Sequence, residues 1–295
     1  MQGWLIVNGF LKSKKFDELS EMFLLAAKEQ KIDLEVYKNS ELLVELGEDL
    51  TGFMKKKRPE FVILWDKDIL LGNYLESMKI PVFNSSNCID ICDDKRKTHL
   101  ALQKENIPMP QTIFAPMTYD GIGFSELDFL ENIQKRLSFP MIVKEAFGSF
   151  GAQVYMAKTS EELKNIILHS SKELLFQEYI ANSKGRDVRL QVVGNEVVGS
   201  MYRFSDTDFR ANVSAGGSMK VYTPSEVEVS LALKAAKAVG ADFAGVDLLF
   251  GEKGPLVCEV NSNAHFKNLL DCTGVNTAEK IIAYIRKEIS CGMHG

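Results

Sequence analysis

The chain of 295 residues has little of what marks several common functions. Its formal net charge is −5, so it has no surplus of positive charge with which to hold nucleic acid or an anionic membrane. The one basic run, 55–58 (KKKR), stands before Pro59 and reads as a solvated helix end ahead of a strand. No stretch approaches the roughly 20 apolar residues of a membrane-spanning helix. The first ten residues, MQGWLIVNGF, lack a basic leader region and read as a first strand rather than a signal peptide. The five cysteines (Cys88, Cys92, Cys258, Cys272, Cys291) show no paired CxxC spacing. Cys88 and Cys92, four apart with no His or Cys pair nearby, are expected to be buried thiols, and a reducing, cytoplasmic setting fits. No Ser–His–Asp or Cys–His arrangement stands out around the four histidines, His99, His169, His265 and His294. Internal repeats and low-complexity tracts are also missing.

The content that remains is ordinary for a globular protein, with 45% hydrophobic and 25% charged residues. The length allows two or three lobes. Residues 1–90 alternate between strand and helix: strands at 3–7, 32–37, 61–65 and 81–83, helices at 16–30 and 70–78. Strands separated by helices imply a parallel sheet with right-handed crossovers. A dinucleotide site would need GxGxxG after the first strand, where Asn8-Gly9-Phe10 stands instead. Residues 84–94 are polar and read as a connection. Asp93 or Asp94 then caps a helix over 95–105 that stops before Pro108.

Three later stretches carry chemistry. In 140–157 (PMIVKEAFGSFGAQVYMA) a strand ends in Lys144 and a loop holding Gly148, Ser149 and Gly151 leads into a second strand. Glycines let backbone N–H groups approach phosphate oxygens closely, and a strand-end lysine supplies a point charge. This is not the GxxxxGK[ST] loop followed by a helix. Taken alone, it is equally a glycine hairpin with a chance lysine. Lys95, in the first turn of its helix, opposes the helix dipole, which a bound anion would offset; a surface lysine is the alternative. In 203–218, Arg203, Arg210 and Asn212 stand near a Gly-Gly pair, as suits a site where charge moves between phosphate and carboxylate; a polar surface loop is the other reading. Arg189, in the strand 187–193, alternates with buried residues and is expected to face a cleft.

The most informative stretch is 245–263 (GVDLLFGEKGPLVCEVNSN). It reads as two strands, 246–250 and 255–260, joined by a three-residue loop, Glu252-Lys253-Gly254, with Gly254 at positive φ. That register sets Asp247 opposite Glu259, with Asn261 on the same face. An even-length loop would split the two acids onto opposite faces. Three oxygen ligands then converge, as a hard cation such as Mg²⁺ requires; a solvated hairpin face is the plainer alternative.

Together these stretches resemble the ATP-grasp superfamily, in particular its RimK-like carboxylate–amine ligases. The likeness rests on GVDLLF…GPLVCEVNSN, on DDKRKTHLALQKENIPMPQT, on PMIVKEAFGSFGAQV and on DFRAN with the following glycines; it covers about 90–289 and is only architectural before that. The resemblance implies an α/β ATP-grasp fold with α+β lobes. A parallel-sheet domain over 1–90 would precede an ATP-grasp domain over 91–295, with a central lobe at about 100–180 and a C-terminal lobe at about 181–289. It implies ATP and Mg²⁺, with Mn²⁺ as a substitute. Asp247, Glu259 and Asn261 would hold the metal, and Lys95, Lys144, Gly148, Ser149 and Gly151 the phosphates. Gln177, Glu178, Tyr179 and Ile180 would form the adenine hinge, with Asp187 on the ribose and Arg189 in the cleft. Arg203, Arg210 and Asn212 map onto phosphate and acyl-phosphate contacts. The reaction implied is ATP-dependent amide formation through an acyl phosphate. It would join an amino acid such as glutamate to an amine or carboxylate acceptor, whether small molecule, peptide or protein, in a dimer or tetramer. The chain departs from the family after Asn263, where a Pro-Gly turn gives way to Ala264-His265-Phe266-Lys267-Asn268; His265 and Lys267 are candidate substrate contacts. A phosphotransferase and a non-catalytic nucleotide-binding module are the competing readings. The filled ligand positions weigh against the second.

Overall fold

The structure, a computed structural model, describes residues 1–47, 57–119, 121–148, 151, 153–211 and 216–292. The first lobe runs β1 (Gln2–Val7), α1 (Lys14–Glu29), β2 (Asp33–Lys38), β3 (Phe61–Trp65), α2 (Ile69–Ser77) and β4 (Val82–Phe83). Its strands pair in parallel in the order β2-β1-β3-β4. FVILW in β3 is buried along its whole length, the pattern of a strand covered on both faces. Phe61, Ile63 and Trp65 pack with Phe23 of α1, while Val62 and Leu64 pack with Leu71 and Leu75 of α2.

The polar connection expected over 84–94 is instead mostly helix, α3 (Ser86–Asp93), because Ser85 Oγ accepts from Cys88 N and starts it. Of the two candidate caps for α4 (Lys95–Lys104), Asp94 serves, accepting from Arg96 N at 2.8 Å.

The central lobe holds β5 (Thr112–Phe114), α5 (Phe129–Arg136), β6 (Met141–Glu145), β7 (Val154–Ala157), α6 (Ser160–Leu168) and β8 (Leu174–Glu178). Its antiparallel sheet has the order β5-β8-β6-β7. The last lobe contains β9 (Arg186–Val193), β10 (Glu196–Phe204), β11 (Ser218–Val221), α7 (Glu226–Ala238), β12 (Phe243–Gly251) and β13 (Gly254–Asn261). These strands form an antiparallel sheet in the order β11-β10-β9-β12-β13. α8 (Lys267–Thr273) and α9 (Thr277–Cys291) follow. Segment 264–268 is therefore a short loop that becomes the start of α8.

The β12–β13 hairpin reaches the expected pairing by another route. Its turn is two residues, Glu252-Lys253, with Gly251 opposite Gly254, whose φ is +131°. Left uncorrected, that turn would pair Asp247 with Cys258. The register shifts between Asp247 and Leu248, so that Leu248 pairs with Val257 and Asp247 with Glu259. Cys258 is the extra residue of a β-bulge.

The two ends of the chain share a core. Ile281, Ile282 and Ile285 of α9 pack with Leu5, Phe23 and Phe61 of the first lobe. Asn84, after β4, accepts from Asp242 N and Phe243 N and donates to Phe243 O and Ser262 O, at 2.7–3.1 Å. It pins the parallel sheet to the base of the hairpin.

Candidate active site

Two clefts meet at the hairpin, and Gly148, Arg203 and Glu259 line both. The first lies between the two antiparallel sheets and is lined from both. Alternation along β6 turns Ile142 and Lys144 into it, and Gln177, Glu178, Tyr179 and Ile180 bound it on the β8 side. Lys95, Gly151, Asp187, Arg210, Asp247 and Cys258 complete the wall. The second cleft lies between the hairpin and the first lobe. Lys15, Phe16, Trp65 and Lys67 line it from one side, Arg189, Asn261 and His265 from the other. Ser149 and Asn212 lie outside the described residues.

Lys95 Nζ donates to Gly148 O at 3.2 Å and stands 3.9 Å from Glu259 Oε1. Lys144 Nζ lies 3.6 Å from the bulged Cys258 Sγ. Burial pushes the Cys258 thiol up, against the opposing pull of Lys144. Gly148 has φ +128°, a backbone conformation that residues with a side chain rarely adopt and glycine takes freely. Arg210 is held by both oxygens of Asp208 and donates through Nη1 to Gly151 O at 2.6 Å.

Behind the hairpin runs an alternating chain of charges. Asp187 holds Arg203 through two bonds of 2.7 Å. Arg203 Nη2 also reaches Asp247 Oδ2 at 2.9 Å, and Arg189 grips Asp247 through Nε (2.6 Å) and Nη2 (2.7 Å). Arg203 and Asp247 are each 4% exposed. Burial would raise the Asp247 carboxyl, yet Arg189 and Arg203 together hold it below the usual carboxylate range. Among the described residues, the Glu259 carboxylate makes only the long contact to Lys95. Asn261 donates through Nδ2 to Gly245 O at 3.4 Å.

The expected site residues thus gather, with differences in detail. Asp187, expected on the ribose, spends both oxygens on Arg203. Arg189 lines the second cleft. In the hinge, Glu178 N donates to Gln111 O and is closed to a base edge, while Ile180 O accepts from Ser183 N and keeps a second lone pair. His265 lines the second cleft with Nε2 3.2 Å from Lys15 O; a carbonyl only accepts, so Nε2 carries the proton. Burial, with Lys15 nearby, pushes its pKa down to about 4. Lys267 lines neither cleft and pairs with Asp271 one turn along α8. Asp208 and Cys258 lie inside the quoted motifs without a role assigned to them, because they act through contacts; Lys15 and Lys67 were not singled out because they come from another lobe. Among the described residues no cluster of three or more His, Cys, Asp or Glu forms. Among the described residues no helix is long and apolar enough to cross a membrane.

Two antiparallel sheets closing on a cleft beside a parallel-sheet lobe, with lysines on one wall and an acid-bearing hairpin on the other, define an ATP-grasp enzyme. Residues 92–285 match the RimK-like ATP-grasp domain, and the chain belongs to that family of ATP-dependent carboxylate–amine ligases. It is 36% identical over 222 residues to the ribosomal protein bS6–L-glutamate ligase of Escherichia fergusonii, covering 74% of this chain and 69% of the relative. The fold is that of a RimK domain ATP-grasp protein from Sphaerobacter thermophilus, with TM-score 0.72, 17% identity, and 96% and 99% of the two chains covered. It is equally that of the D-alanine–D-alanine ligase of Bacillus anthracis in complex with ATP, with TM-score 0.72, 20% identity, and 100% and 98% covered.

Proposed function

We propose that the protein joins an amino acid to an amine-bearing acceptor through an acyl phosphate, with ATP as phosphoryl donor, and that glutamate is the first amino acid to test, as the bS6 relative's name suggests. One observation carries this reading: Asp247 and Glu259 stand opposite each other where the two clefts meet, with Asn261 beside them. The donor set suits Mg²⁺ or Mn²⁺. Arg189 and Arg203 use three of the roughly four lone-pair sites of Asp247. Oδ1 keeps room for a metal, Glu259 is open, and a hard cation needs only one or two carboxylates beside phosphate oxygens and water. When bound, the ion would neutralise the phosphate charge that builds up on transfer.

In the first step a substrate carboxylate oxygen bonds to the γ-phosphorus, and the bond to the β-phosphate oxygen breaks, releasing ADP. In the second, the acceptor nitrogen bonds to the acyl carbon, the carbon–oxygen bond to phosphate breaks, and the nitrogen gives up a proton. Such chemistry needs positioning and fixed charge rather than a protein nucleophile. Lys95 and Lys144 would hold the phosphates. Arg203, kept rigid by Asp187, would face the moving phosphoryl group. Arg210, by holding Gly151, would close the loop over the reacting atoms and keep water from the acyl phosphate.

The experiment is ADP release with Mg²⁺-ATP against a panel of amino acids and short peptides, with product masses. ADP that depends on an added amine, with a product heavier by one amino-acid residue, is the expected result. ADP released equally without any amine would point to a phosphotransferase instead.

A further inference from the structure

His99 lies outside both clefts and is only 2% exposed, yet, on the proposed reading of the first cleft as the nucleotide site, it joins the two ends of that site. Its Nδ1 is 2.6 Å from Lys95 O, and its Nε2 is 3.0 Å from Gln177 Nε2. Lys95 O can only accept, so Nδ1 carries the ring proton and Nε2 offers a lone pair to the Gln177 amide. The second N–H of that amide donates to Thr112 Oγ1 at 2.9 Å, and the Thr112 hydroxyl donates to Pro110 O at 2.8 Å. Every group in this chain has one consistent role. It runs from the first residue of α4, which carries a phosphate-side lysine, to the strand of the hinge, and on to β5.

A leucine would fill the same space with no polar atom to satisfy. The imidazole is placed against two cations: burial first, then Lys144 and Lys95, push its pKa down to about 4. A histidine kept where cations disfavour its charged form earns its place by direction rather than by charge.

We propose that His99 is a positioning residue that sets the distance between the phosphate end of the nucleotide site, at Lys95, and its base end, at Gln177 and the hinge. It touches no substrate. Its effect is to let one rigid ligand meet both ends at once, the advantage that a linked ligand has over its separate parts.

The test compares Mg²⁺-ATP, adenosine and tripolyphosphate binding by calorimetry in the full chain. His99→Leu is expected to weaken ATP by about tenfold while each fragment binds within about twofold of wild type, because only the linkage is lost. His99→Asn keeps a donor near Lys95 O, and His99→Gln keeps a partner for Gln177; each is expected to fall between leucine and wild type. Unchanged ATP affinity in a cooperatively folded leucine variant overturns the proposal. So does a fragment that weakens as much as ATP does, since that is local support and not spacing. If the leucine variant does not fold, the asparagine and glutamine variants decide by the same comparison.

Discussion

Arg203 and Glu259 lie on the same clefts, and their surroundings assign them opposite experimental signatures. Arg203 is buried between Asp187 and Asp247. Removing one partner from a buried ion pair leaves charge uncompensated and costs about 3–5 kcal/mol. Asp187→Ala is therefore expected to lower the urea midpoint by a stability loss near the bottom of that range, because Asp247 still faces the arginine. A midpoint within error of wild type would mean that Asp187 does not hold Arg203. Among the described residues, the Glu259 carboxylate has only its 3.9 Å contact with Lys95. Glu259→Gln should change stability by less than about 1 kcal/mol. On the proposed mechanism the same variant loses about 100-fold or more in ADP formation. Near-normal turnover would remove Glu259 from the metal site.

At the scale of the element, the hairpin shows what a sequence discloses and what it hides. Asp247 and Glu259 are separated by a spacing that pairs them on one face whether the odd residue sits in the turn or in the strand. The pairing was read from a three-residue loop, which the structure replaces with a two-residue turn and a compensating bulge that gives the same register. The location of the odd residue was not legible, because Cys258 has no bulge signature of its own and Glu252-Lys253-Gly254 fits a three-residue loop equally well. The glycines and lysines of the first cleft were legible for a similar reason, since short-range spacing places them. Asp208, which holds Arg210, and the capping Ser85 that makes α3 were missed because their effect depends on contacts that spacing does not encode. The bulge can be tested by removing it. Deleting Cys258 takes out the extra residue and leaves Leu248–Val257 and Asp247–Glu259 paired across the two-residue turn, so a measurable part of ADP formation should remain. A folded deletion variant with no ADP formation would mean that the bulged residue itself is required and not merely the register.

The whole molecule adds what no single stretch could show. The second cleft is built from the first lobe, through Lys15, Phe16, Trp65 and Lys67, and from the hairpin and its following loop some 200 residues later. Ile281, Ile282 and Ile285 of α9 close the core of that same first lobe. Ile282→Ala is expected to cost about 2–5 kcal/mol, read as a lower unfolding midpoint of the entire chain. A separate early transition would mean that the first lobe folds alone. The molecule's response to acid follows from its buried histidines. His99 has a folded pKa of about 4, against about 6.5 in an unfolded chain. Between those values the unfolded chain binds a proton that the folded one refuses, so stability is full above pH 6.5 and falls as the pH drops toward 4. For one fully buried group the loss approaches about 3 kcal/mol. His265 shifts the same way, with a smaller effect because it is less completely buried than His99. The depressed carboxyls of Asp94, Asp208 and Asp247 act lower still, losing their contribution only as the pH falls through their own reduced values. Urea unfolding at half-unit steps from pH 7.5 to 4.5 should therefore show a decline beginning near 6.5, well above the carboxylate range. His99→Leu should start from a lower stability and decline less steeply over that window. Parallel curves for variant and wild type would show that His99 takes up its proton in the folded state as easily as in the unfolded one.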